Sequence, residues 1–161
     1  MGHITEHPTA GGKVTVPAVL DVFSPVVVGW SIADHMRFEL VVDALEMARW
    51  RRRPEPGAVV HSDRGSQYTS RIFGHRLRAA GLLGSMGRAA SSVDNGMIES
   101  LWSTLRRELL DRRLWTTKAE LGSAIFQWIE TFYNRRRQHS ALGYLSRVQF
   151  EALHTPAVTA A

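Results

Sequence analysis

Ala58-Val-Val-His-Ser-Asp63-Arg-Gly-Ser-Gln-Tyr68 decides the architecture. It reads as a short buried strand that delivers His61, Ser62 and Asp63 at its carboxyl end and then breaks into a polar turn. Upstream, residues 13–32 read as two more strands. Val14, Val16, Ala18 and Leu20 alternate, Val26-Val-Val-Gly-Trp30-Ser-Ile32 is a β-branched apolar run, and Asp21-Val-Phe-Ser-Pro25 supplies the turn. Over residues 37–53 the period changes: Leu40, Val41, Ala44, Leu45 and Ala48 recur one helical turn apart, and Pro54 stops the helix. Downstream of Tyr68, residues 70–80 predict a second helix closed by Gly81, and 82–86 a further short strand. Residues 87–96 are small, polar and aperiodic, which predicts a mobile loop. Helices follow over 95–110 and 118–133, the latter with Leu121, Ile125, Trp128, Ile129 and Phe132 on one face. This order predicts a mixed α/β fold, in which sites form beyond the carboxyl ends of parallel strands. Asp63 falls at such an end.

The composition bounds the class. A chain of 161 residues fits one domain, here 1–154, with a flexible tail over 155–161. At 44% hydrophobic and 22% charged residues it is globular, and no apolar run is long enough to span a bilayer. The opening Met-Gly-His-Ile-Thr-Glu-His-Pro lacks the basic-then-apolar pattern of an export signal. The absence of cysteine excludes disulfides and thiolate zinc sites. The expected compartment is the cytoplasm. Twenty Lys and Arg against fifteen Asp and Glu give a net charge of +5, and only Lys13 and Lys118 are lysine. Arginine forks match phosphate oxygens two at a time and never deprotonate, so the bias points first toward nucleic acid, the alternative being a solvated basic surface.

Asp63 closes a strand, and Glu99 lies early in the helix that follows the polar loop, with 35 residues between them. Two carboxylates brought to one sheet edge can share divalent cations, because Mg²⁺ takes hard oxygen ligands and leaves positions for water and phosphate. Among the other groups here, Arg106 lies two helical turns after Glu99 on the same face. Trp102 and Trp128 sit at spacings that fit core burial. His61 is either a structural histidine or an outer partner of Asp63.

His61-Ser-Asp-Arg-Gly-Ser-Gln-Tyr68, Ser85-Met-Gly87, Asp94-Asn-Gly-Met-Ile-Glu-Ser100 and Tyr133-Asn-Arg-Arg-Arg-Gln-His-Ser-Ala-Leu-Gly-Tyr144 together resemble the integrase-core transposases of the third insertion-sequence family. Val19-Leu-Asp-Val-Phe-Ser24, Val28-Gly-Trp30 and Asp43-Ala-Leu-Glu-Met-Ala48 extend the resemblance over nearly the whole chain. The resemblance implies a ribonuclease H-like mixed sheet flanked by helices, within the retroviral integrase superfamily. It also implies DDE chemistry: three carboxylates hold two Mg²⁺ or Mn²⁺ ions, and water or a DNA 3′-hydroxyl attacks a phosphodiester. Asp63 matches the second acid and Glu99 the third.

The first acid is missing. In the family it stands 18 residues before the aspartate of the Leu-Asp-x-Phe-Ser turn, and counting back from Asp21 reaches His3. An imidazole offers one neutral nitrogen where a carboxylate offers two anionic oxygens, and the formal ligand charge falls from −3 to −2. Changes beyond the ligands themselves already cost ~10 to 100-fold in affinity or activity, so this loss predicts weak or absent strand transfer. Asp21 is expected to cap its turn, and Glu6 to face the other side of the sheet from His3. The chain begins two residues before His3, so the first strand is expected to be truncated; the residues around Gly12-Lys13 and Pro17 also depart from the family, and Pro17 is expected to be awkward inside a sheet. Arg147 stands where the family has proline.

The resemblance therefore implies a catalytic core for DNA transposition, impaired at His3. The alternative is a non-catalytic DNA-binding transposase remnant. Either form is expected to act on transposon ends and target DNA as a homo-multimer. Arg106, Arg135, Arg137 and His139 are the expected DNA contacts, with the cluster Arg135-Arg136-Arg137, His139 and Tyr144 alternatively ordering the C-terminal turn.

Overall fold

Val14, Val16 and Ala18 alternate along one strand and are all buried, and so set one face of the sheet against a helical layer. The computed structural model describes residues 1–62, 71–86 and 92–154, with the backbone alone described at 86 and 92–95. Its five strands are β1 (Gly2–Thr9), β2 (Gly12–Leu20), β3 (Val27–Trp30), β4 (Val59–Ser62) and β5 (Leu83–Met86). They lie in the order β3-β2-β1-β4-β5. The β1, β2 and β3 pairings are antiparallel, whereas β4 runs parallel to both β1 and β5. The mixed α/β sheet expected from the sequence is therefore present.

Helices cover both faces. On one side α1 (Phe38–Arg52) and α2 (Arg71–Ala79) bury Val41, Leu45, Phe73 and Leu77 against Ile4 and Val60. On the other side α3 (Ser92–Glu108) and α4 (Lys118–Gln127) bury Ile98, Leu101, Leu105, Leu121 and Ile125 against β2. A last helix, α5 (Arg147–His154), which has no counterpart in the sequence expectation, follows a compact turn. Gly29 fixes the distance of α1 from the sheet. A Cβ there would lie 2.0 Å from the Ala44 carbonyl oxygen and 2.8 Å from the Ala48 nitrogen, so only glycine permits this crossing.

Several expectations change. The first strand keeps eight residues, each paired with β2 from Gly2↔Val19 to Thr9↔Gly12, because the departures around Gly12 form a hairpin turn in which Gly12 takes φ 112°. Pro17 does lie in an internal strand. The main-chain groups of Thr15 and Pro17 face β3: Thr15 exchanges bonds of 2.7 and 3.1 Å with Ala33, and the Pro17 carbonyl accepts from the Ser31 N–H at 3.3 Å. Since β3 ends at Trp30, the donor that proline lacks falls past its end. The strand at Val59 is only half-buried, for Val59 and its register partner Leu83 are 51% and 57% exposed on a face that the described helices leave open.

The helices shift as well. Residues 92–96, expected in a loop, already belong to α3, as Ser, Asp and Asn suit a first helical turn; residues 87–91 of that loop lie outside the described residues. The helix from Lys118 widens into a π-helix over Trp128–Tyr133, closed by the Asn134 N–H donating to the Ile129 carbonyl at 3.1 Å. The extra residue turns the face, so that Tyr133 is buried and Phe132 is 40% exposed. The expected tail, 155–161, is outside the described residues.

Candidate active site

The parallel pairing of β1 and β4 is through Gly2↔Ser62, so the beginning of β1 meets the end of β4. His3 is the next residue on β1, and Ser62, fully buried, is the last described residue before Asp63. Asp63 itself lies outside the described residues, as do Ser66 and Gln67. Alternation along β1 turns Ile4 towards α1 and α2, and His3 towards α3. There the His3 ring lies 6.3 Å from the Trp102 ring at a tilt of 47°. Glu99 stands one helical turn before Trp102 and is exposed. Thus α3 lies along β1 with Glu99 at the His3 end.

Arg106 marks the other end. Burial lowers the pKa of His7 below the usual imidazole range, opposed by the Asp111 carboxylate and aided by the Arg106 guanidinium. Seven residues of helix separate Arg106 from Glu99, which is about 10 Å of rise. Arg106 is exposed and reaches solvent beside β1.

His61 is partly buried, and its Nδ1 is enclosed without a hydrogen bond to a described residue. Asp21 has other tasks: its Oδ1 accepts from the Phe23 N–H at 2.8 Å, and its Oδ2 pairs with Arg52 Nε at 2.9 Å. Glu6 is turned to Lys13, 3.5 Å away, and to Thr15. Neither carboxylate stands in for the first acid.

No group of three or more His, Asp or Glu side chains close enough to hold a metal ion occurs among the described residues, a set that lacks Asp63. The donor chemistry can still be judged. An exposed carboxylate at Glu99 suits a hard cation, whereas the His3 imidazole offers nitrogen, a poorer donor to magnesium than the carboxylate oxygen that the family resemblance leads one to expect there. The donors at these positions do not fit a pair of magnesium ions.

Of the expected DNA contacts after α4, Arg135 is exposed and pairs with no described residue. Arg137 is drawn inward, its Nε donating to Glu108 Oε1 at 2.9 Å. One of its Nη atoms lies 3.3 Å from both ring nitrogens of His139. Arg147, only 4% exposed, stacks its guanidinium 3.5 Å above the Tyr133 ring, donates to the Tyr133 carbonyl at 3.1 Å, and approaches His139 Nδ1 at 3.3 Å. Burial first, then Arg147 and Arg137, lower the His139 pKa to about 4, so the ring is neutral at pH 7. Burial raises Tyr133 to about 12 and lowers Arg147 to about 10. Arg137 and His139 therefore hold the C-terminal turn against α3, while Arg106 and Arg135 remain open to solvent.

Sequence reasoning missed Asn134. Its buried amide accepts from the Val27 N–H and donates to the Val27 carbonyl, both at 3.0 Å, in place of a neighbouring strand at the β3 edge. The signal was a polar residue directly after the apolar helical face.

Residues 2–92 match the family model described as integrase core domain, and residues 81–146 match a second model with the same description. The transposase for insertion sequence element IS904 of Lactococcus lactis subsp. lactis (strain IL1403) is 42% identical over 151 residues, covering 94% of this chain and 60% of that protein. Transposase InsF for insertion sequence IS3A of Escherichia coli (strain K12) is 37% identical over 150 residues, covering 93% and 52%. The chain thus spans half to three fifths of these relatives' length. Among solved structures, the catalytic core domain of BIV integrase superposes with a TM-score of 0.66 at 16% identity, covering 96% of this chain and 95% of that one. The HTLV-2 integrase catalytic core domain in complex with magnesium gives 0.59 at 17% identity, covering 92% and 91%. The fold is that of these integrase cores, a ribonuclease H-like mixed sheet between helical layers.

Proposed function

The chain belongs to the integrase core domain family, and on that footing we propose that it is the catalytic core of an insertion-sequence transposase, impaired in DNA strand cleavage and transfer by His3. The observation that carries this reading is the meeting of the start of β1 with the end of β4 under α3, which gathers His3, Ser62 and the helix of Glu99 at one sheet edge. In that arrangement Asp63 and Glu99 would be the anionic metal ligands and His3 the substituted first position. Mg²⁺ or Mn²⁺ is the cofactor that the family resemblance implies, and a three-carboxylate set would be needed to hold two such ions. This chain offers one acid fewer, so no strand-transfer step is assigned to it.

What its own residues supply is a DNA surface. Arg106 and Arg135 would contact phosphates, with Arg137 and His139 ordering the turn that presents Arg135. Transposon ends and target DNA are the proposed substrates, bound by a homo-multimer at the nucleoid. The second reading, a non-catalytic DNA-binding remnant, is favoured by His3 alone and differs only in whether any cutting survives.

Divalent-metal-dependent nicking and joining of a labelled DNA end separates the two. The His3→Asp chain is expected to cut, and the natural chain to cut at least ~10-fold more slowly or not at all. Asp63→Asn in the His3→Asp background should abolish the activity. Full activity of the natural chain, lost on Asp63→Asn, would mean that His3 or another residue serves the metal and that the impairment reading is wrong.

A further inference from the structure

The helix α2 turns Phe73 and Leu77, both under 5% exposed, into the core, and this leaves Arg71, His75, Arg76 and Arg78 exposed. Arg71, His75 and Arg78 recur at i, i+4 and i+7 and so form one stripe. The helix contains no acidic residue, and none of its three arginines enters an ion pair with a described residue. Elsewhere in the molecule arginines are commonly neutralised: Arg49, Arg51, Arg52, Arg113 and Arg137 each hold a carboxylate within 3.0 Å. The arginine of Arg78 also lies over Gly74, where an added Cβ would come within 3.5 Å of its Nη1.

This stripe borders an open groove of about 1110 Å³ that follows the β5 edge of the sheet. Its described lining runs from Ser62, beside the candidate site, past Arg71, Arg76 and Arg78, with Ile72 and Leu83 as apolar walls 46% and 57% exposed. No described lining residue is acidic. A surface that starts at Ser62 and carries only positive charge is complementary to an anionic chain leading into the site. From Arg71 to Arg78 the helix rises about 10 Å, matched by roughly three nucleotide steps of a duplex strand at ~3.4 Å each.

We propose that this α2 groove is a second DNA track, on which Arg71 and Arg78 from the stripe and Arg76 from the flank of Ile72 bind backbone phosphates of a duplex whose reacting segment lies beyond Ser62. This rests on DNA being the substrate. The contacts are to phosphate, so the track positions the duplex and carries no sequence preference.

The test is duplex-DNA binding by the full chain across a salt series. Replacing Arg71, Arg76 and Arg78 together by Gln is expected to weaken binding at low salt at least ~10-fold and to reduce the slope of log K against log salt by about 2 to 3, since each lost phosphate contact removes about 0.9. A control with the same charge change, Arg107, Arg112 and Arg113 to Gln at the far end of α3, should leave the slope within about 1 of the natural chain. Equal loss in both variants would reduce the effect to net charge and overturn the track. Binding by the α2 variant with the natural slope would overturn it too, and would assign the groove to another partner. If the natural chain binds no duplex at all, the transposase reading fails together with this one. Should the triple variant fold poorly by circular dichroism, the single substitutions are each expected to lower the slope by about 1, and no change in any of them overturns the proposal.

Discussion

His139 is held neutral by its surroundings. Burial and two guanidinium groups, Arg147 and Arg137, lower its pKa to about 4 from an ordinary 6.5. Below pH 6.5 the unfolded chain takes up the proton that the folded chain refuses. Its contribution to stability is thus complete above about pH 6.5 and is lost as the pH falls towards 4. Arg147→Met removes one of the charges while keeping an apolar stem over Tyr133. The imidazole titration, followed by NMR of the ring protons, is expected to move upward; an unchanged midpoint would exclude Arg147 as a cause. This group was only partly legible in the sequence. His139 and Arg137 were visible as part of a basic cluster, but Arg147 stood out merely as a departure from a family pattern. A buried arginine that is held by a carbonyl, an aromatic face and an imidazole leaves no mark in periodicity or charge count. His3 was legible for the opposite reason, since its place is fixed by counting from the Asp21 turn, and β1 turns it to α3.

Asn134 acts on an element. Edge strands present unpaired main-chain groups, and at β3 one amide side chain answers both groups of Val27. Asn134→Leu keeps the volume and strands that N–H and C=O in a buried place. A loss of about 2 to 4 kcal/mol in urea unfolding is expected, whereas a change below ~1 would mean that the edge is satisfied otherwise. Strands and the first helices were legible because alternation and the 3.6-residue period survive in Val14 to Leu20 and Leu40 to Ala48. The helix from Lys118 was misread in phase. Its apolar pattern continues through Phe132, yet the π-turn inserts a residue and brings Tyr133 into the core, and no local propensity announces such a turn. The candidate site was legible as motifs, and the approach of β1 to β4 was not, because pairing at Gly2↔Ser62 joins residues far apart in the chain.

At the scale of the molecule, three distant segments are joined at Arg52. Its guanidinium pairs with Asp21 in the β2–β3 turn and with Glu151 on α5, whose carboxylate also accepts from the Ser24 hydroxyl. Arg52→Met leaves two half-buried carboxylates without their cation. It is expected to destabilise the chain by about 1 to 2 kcal/mol and to speed amide exchange in α5 before the rest. Uniform exchange across all helices would show that α5 is held by its apolar contacts instead. Pro17 bears on how the sheet assembles. A slip of β2 against β3 that keeps the buried face buried must move by two residues. One such slip sets the proline opposite Gly29 inside β3, and the other sets it opposite Ala33, where Thr15 now exchanges two bonds. Each misalignment forfeits a ladder bond that the native one keeps. The residue least suited to a strand interior thereby works as a key cut for one lock, and makes the correct alignment the best-bonded of its neighbours.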